Sequence, residues 1–200
     1  MALIAQRLVA RLYQLSHISS GFLYVALLAR WLIIVPLAGT RFLPGGIHEF
    51  LCGLLVYSSV VELLWLVKFR GVVGAVLTRK FLKDVNFLYF VMVMHYYDDY
   101  EHVPVLKNVS YSSFIVGLAC TQAWSHWRSL FKRPVGGRRS SVEKIDTYLM
   151  MPLLYLSEMY LLLLHVQDPG FHSFPLLDKV NKVVLVIFLP VALSVYRYQF

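Results

Sequence analysis

Arg30, Glu62 and Glu158 stand inside long apolar runs, and His165 lies near the end of one. A charge at mid-bilayer costs about 3 kcal/mol on insertion scales, so such residues turn inward and find a partner within a helix bundle. Arg30 and Glu158 each fall near the middle of their runs, which predicts an intramembrane ion pair. If they pair, replacing Glu158 by Gln leaves Arg30 uncompensated and destabilises the protein. Glu62 is offset from Arg30 by about 10 Å along the bilayer normal at ~1.5 Å per residue. It is expected nearer the cytosolic end, close to Lys68 or Arg70.

The densest polar cluster is His95, Asp98, Asp99, Glu101 and His102. Carboxylates and imidazoles this close could hold a divalent metal or act as acid and base. The spacing is not HExxH, however, and no second acidic motif of the kind prenyl-transferring enzymes use to hold diphosphate through magnesium accompanies it. A solvated acidic loop accounts for the cluster, with Tyr96, Tyr97 and Tyr100 as an interfacial aromatic belt. His48 and Glu49 follow the turn Pro44-Gly45-Gly46. With Glu62 and Glu158 deeper in, they loosely resemble the acidic sites of membrane sterol isomerases and dehydratases, although helix capping and interfacial placement also account for them.

The chain contains no Ser-His-Asp order, P-loop or CxxC pair. Cys52 and Cys120 both fall in apolar runs, where a thiol behaves as a small hydrophobe, and they point to neither a disulfide nor a metal site. The reading therefore assigns no catalytic residue, metal or cofactor. Two modification motifs stand out. Asn108-Val109-Ser110 fits the N-glycosylation sequon. Arg138-Arg139-Ser140-Ser141 fits a basophilic kinase site centred on Ser141, while Ser140 with Glu143 fits a capping box.

The elements that must position these residues are transmembrane helices. With 58% hydrophobic and 15% charged residues, the chain has too few charges for a water-facing globule, which carries about 25%. Apolar runs near twenty residues match the hydrocarbon core. Clear spans fall at about 20–38, 47–67, 110–127, 147–166 and 182–197, and a short sixth candidate at 82–97. Residues 1–19 read as an amphipathic surface helix, with Arg7, Arg11 and Gln14 opposite Leu8, Leu12 and Leu15, or as the frayed start of the first span. Arg30 interrupts the first apolar run and no small-x-small site follows, so that span is expected to remain uncleaved.

Net charge +8 reads as cytosolic loops beside anionic headgroups rather than as a nucleic-acid surface. The basic segments 68–84 and 128–145 should share the cytosolic side. An even number of crossings must then separate them, and the short stretch 82–97 becomes a crossing. The prediction is an all-α bundle of six spans forming a single domain, with both termini cytosolic and the His95 to His102 cluster luminal.

Ser58, Ser59, Gly117 and Ala119 let helices approach closely, within the chain or against another membrane protein. In the hairpin Arg41-Phe42-Leu43-Pro44-Gly45-Gly46-Ile47-His48-Glu49-Phe50, in length and in multispan layout, the chain resembles the small fungal endoplasmic-reticulum proteins required for β-1,6-glucan synthesis. The resemblance implies an essential, non-catalytic accessory role in cell-wall assembly, in which the protein binds a Kre-type glycosidase-like membrane protein. The alternative is a membrane-embedded enzyme that modifies a lipid or sterol with its intramembrane carboxylates. A carrier with Arg30 and Glu158 along its path is a third reading, which the lack of an inverted repeat disfavours.

Overall fold

A computed structural model describes residues 2–96, 104–131, 140–167 and 175–197. Among them every regular element is helical. Helix α1 runs Ala2–Ala38 without a break, so the amphipathic start and the first span are one helix. Gly39 stops it at φ 80°, a backbone setting open to glycine, and its N–H bonds the Val35 carbonyl at 3.0 Å. One 3-10 turn later Pro44 enters the first turn of α2, Leu43–Val76, where its missing N–H costs nothing. Gly71, at φ 71° and ψ 169°, kinks the far end of α2.

Thr78 caps α3, Arg79–Val91, by accepting a hydrogen bond from the Phe81 N–H at 3.3 Å. The helix continues through a π-turn at Met92–Tyr96. Starting at Arg79 lengthens this element to roughly 25 Å at ~1.5 Å per residue. Lys80, Lys83 and Asp84 thus belong to the helix, whereas charge alone had marked them as its loop edge. Helix α4, Val109–Leu130, is capped by Asn108, whose Oδ1 accepts from the Ser110 N–H at 3.1 Å. The short α5, Ser141–Ile145, leads through a π-turn into α6, Met151–Gln167, and α7 spans Pro175–Arg197.

Among the described residues three helical stretches are long and apolar enough to cross a membrane: Gln6–Ala38, Thr40–Val76 and Ser141–Gln167. This is a helical membrane protein. Contacts fix the relative directions of its helices. Early α1 meets late α4 through His17 and His126, while late α1 meets early α4 through Trp31 and Ser112. Lys83 near the start of α3 meets Glu62 late in α2, and His48 at the start of α2 meets His95 after α3. Tyr89 of α3 donates to Asn181 of α7. The core is built from Tyr24, Leu27, Leu51, Leu55, Phe90 and Phe114, the last two stacked at 4.4 Å. Outward, Leu8, Leu12, Leu15, Ile18, Phe22 and Val25 form an exposed apolar stripe along α1.

Gly117 marks the tightest approach, because a Cβ there would sit 3.0 Å from the Leu154 backbone nitrogen and 3.1 Å from its Cα. Small residues permit such contacts between helices in lipid. Gly117→Ala is expected to cost about 1–3 kcal/mol through overpacking, seen as a lower melting temperature in detergent. An unchanged melting temperature would show that α4 and α6 part without cost.

Candidate functional site: a polar clasp among four helices

Hydropathy buries one face of each helix, and at one end of the bundle those faces carry charge. His17 of α1, Glu62 of α2, Lys83 and Asp84 of α3, and Gln122 and His126 of α4 converge there. Lys83 Nζ donates to Glu62 Oε2 at 3.0 Å and to Gln122 Oε1 at 3.1 Å, and lies 3.3 Å from Asp84 Oδ1. The other Glu62 oxygen is 3.3 Å from His126 Nε2. His126 Nδ1 in turn faces His17 Nδ1 at 2.9 Å, so one of these nitrogens carries the shared proton. The groups form a polar cluster from His17 to Asp84 across four helices, within which His126 Nε2 approaches Glu62 without a hydrogen bond.

Asp84 and His126 are each 1% exposed. A cavity of ≈ 190 Å³ adjoins the clasp, lined by His17, Glu62, Asp84 and His126 together with Arg70 and Lys80. Trp65 of α2 donates to Ser16 of α1 beside it at 3.0 Å. A cluster of acids, imidazoles and an amine can store or pass a proton. It also ties helices together, since each charge is left uncompensated if its helix moves away.

Glu158, fully buried on α6, accepts a hydrogen bond from Asn86 Nδ2 of α3 at 2.5 Å. Asn86 also lines a mainly apolar cleft of ≈ 320 Å³ between α3, α6 and α7, with Tyr155, Phe188 and Ala192 among its walls. The Arg30–Glu158 pair expected from depth is not formed. Arg30 lies on an exposed face of α1, its guanidinium 5.8 Å from the Phe50 ring centroid, and α6 meets α3 and α4 instead. The partner expected for Glu62 is likewise corrected: Lys83 and His126 hold it, and Lys68 lies over the Trp65 ring at 5.2 Å.

A curated protein of Saccharomyces cerevisiae, the beta-1,6-glucan synthesis-associated protein KEG1, is 53% identical to this chain over 191 residues, covering 96% of each. The chain belongs to the KEG1 family. No family model and no solved structure matches it. The likeness expected from the hairpin and the multispan layout is thus shown. The relative's name associates that protein with glucan synthesis without calling it a synthase.

Among the remaining sequence candidates of this KEG1-family chain, His48 is buried, Glu49 is exposed and His95 is half-buried at the end of the bundle away from the clasp. Asp98, Asp99, Glu101 and His102 lie outside the described residues, as do Arg138 and Arg139. Asn108 of the sequon serves as a helix cap. Ser141 is exposed as the first residue of α5. The capping box is not made, because Ser140 forms no side-chain cap bond and Glu143 turns to Arg128 at 2.8 Å. Sequence reading missed His17, Asn86, Gln122 and His126 as members of a polar interior. The one signal for them was Gln122 and His126 at i and i+4, which share a face of α4.

Proposed function

We propose that this protein is a non-catalytic, multi-pass subunit of the endoplasmic-reticulum membrane that binds and stabilises a membrane partner in cell-wall β-1,6-glucan synthesis. The relationship to the yeast protein across nearly the whole chain carries this reading. The antiparallel contacts of α1 with α4 and of α2 with α3 are compatible with it, and on the sequence reading both termini and the two basic segments face the cytosol. The exposed α1 stripe supplies a surface within the membrane, and the partner expected from the sequence resemblance is a Kre-type glycosidase-like protein.

The test is replacement of the yeast relative by this chain. Restored β-1,6-glucan and co-purification of one membrane partner are expected, and photocrosslinkers at Ile18, Phe22 or Val25 should capture that partner. Normal expression without restored glucan would overturn the reading. A second reading, a lipid- or sterol-modifying enzyme, draws on Glu158, whose Oε2 has no hydrogen-bond partner among the described residues and whose neighbour Asn86 lines the apolar cleft.

A further inference from the structure

At the end of α2 away from the clasp, His48 and Cys52 stand one helical turn apart, and their side chains meet on the same face. His48 Nε2 is 3.5 Å from Cys52 Sγ. The His95 ring lies 5.4 Å from that of His48, and one ligand atom from each of the three residues falls within 4.8 Å of the other two. We propose that His48, Cys52 and His95 form a binding site for one zinc ion.

The spacing of His48 and Cys52 fits the ion. With Zn–N of ~2.0–2.1 Å and Zn–S of ~2.3 Å, tetrahedral angles place a nitrogen and a sulfur ligand about 3.5 Å apart. The donor set also fits, since imidazole with one thiolate suits zinc better than magnesium or calcium, which take oxygen. His48 is oriented from its other nitrogen, because Nδ1 lies 2.8 Å from the Tyr111 hydroxyl, itself fully buried. Second-sphere bonds of this kind fix the tautomer that leaves Nε2 for the metal.

His95 reaches the site from the π-turn Met92–Tyr96, where an extra residue per turn re-aims side chains relative to an α-helix. Three protein ligands leave the fourth position of a tetrahedral site for water or another donor. Binding replaces the proton of the Cys52 thiol, which passes to solvent as the thiolate forms. The site joins α2 to the end of α3 and, through Tyr111, to α4. It revises the expectation that the cysteines take no part in metal binding.

The test uses the full chain purified in detergent, stripped with chelator and titrated with cobalt(II) as a spectroscopic stand-in for zinc. One equivalent of cobalt should produce a thiolate-to-cobalt charge-transfer band, and zinc should abolish it. Cys52→Ala should remove the band and Cys120→Ala should leave it unchanged. Tyr111→Phe should weaken cobalt binding roughly 10–100-fold, the range for losing a second-sphere partner. His95→Ala should shift the cobalt spectrum and weaken binding further. No thiolate band in the unaltered protein would overturn the proposal without reference to any variant. A band lost with Cys120→Ala, or one indifferent to His95→Ala in a folded protein, would overturn it equally.

Discussion

Lys83→Met lowers the stability of the protein by about 3 kcal/mol, the low end of the range for removing one member of a buried ion pair. Lys83 is the only cation within hydrogen-bonding distance of Glu62 among the described residues, and Asp84 lies beside it at 3.3 Å. Its loss leaves two carboxylates in the interior, one of them 1% exposed. The low end applies because the Lys83 and Glu62 side chains keep 23% and 14% of their exposure. Thermal unfolding in detergent measures the effect. Pairing Lys83→Met with Glu62→Gln should recover a good part of the loss, since the double change removes an uncompensated charge along with the cation. If the single and double variants unfold alike, the clasp does not hold the helices.

Lys83→Arg keeps the charge, yet the planar guanidinium cannot reproduce the three directions in which the ammonium meets Glu62, Gln122 and Asp84. That variant should fall between the wild type and Lys83→Met. His126→Leu probes the other arm, where His126 meets His17 and lies 3.3 Å from Glu62. Its expected cost is smaller, because Lys83 still satisfies Glu62.

The helical membrane character could be read from hydropathy, and the stretch 82–97 that the even-crossing requirement made a crossing falls on a helix, Arg79–Val91 with its π-turn to Tyr96, although that helix is not among the three stretches long and apolar enough to cross a membrane. The pairings could not be read in this way. Depth along a helix follows from residue number only once its bounds are known: Glu158 lies near the middle of α6, whereas Arg30, near the middle of its expected apolar run, lies in the last third of the longer α1. Azimuth about the helix axis depends on packing. On α1 the buried face is set by His17, Ser20, Tyr24 and Leu27. That setting turns Arg30 outward. Because α1 is apolar nearly all round, its sequence carries little directional signal. The clasp was hidden for a related reason: Lys83 and Asp84 resemble a loop edge until Thr78 caps the helix before them, and His17 and His126 lie far apart in sequence.

Asn86→Leu should cost about 3 kcal/mol, because it strips the Asn86 hydrogen-bond donor from a fully buried carboxyl group. Glu158→Gln behaves differently. The amide oxygen still accepts from Asn86, so stability should change by less than about 1 kcal/mol. This contrasts with the Arg30 pairing, under which the same substitution would strand a cation. The pair of variants also separates the two functional readings. For a subunit whose role is to hold a partner, Glu158→Gln should sustain β-1,6-glucan at normal protein level, while Asn86→Leu should lower glucan only as far as it lowers the amount of folded protein. For an enzyme that moves a proton through Glu158, the amide abolishes function although the protein remains folded and abundant, since Gln can accept the Asn86 hydrogen bond but cannot exchange a proton with a substrate in the cleft between α3, α6 and α7. Glucan content measured beside protein abundance therefore decides between them, and full activity of Glu158→Gln removes the carboxylate from any catalytic role.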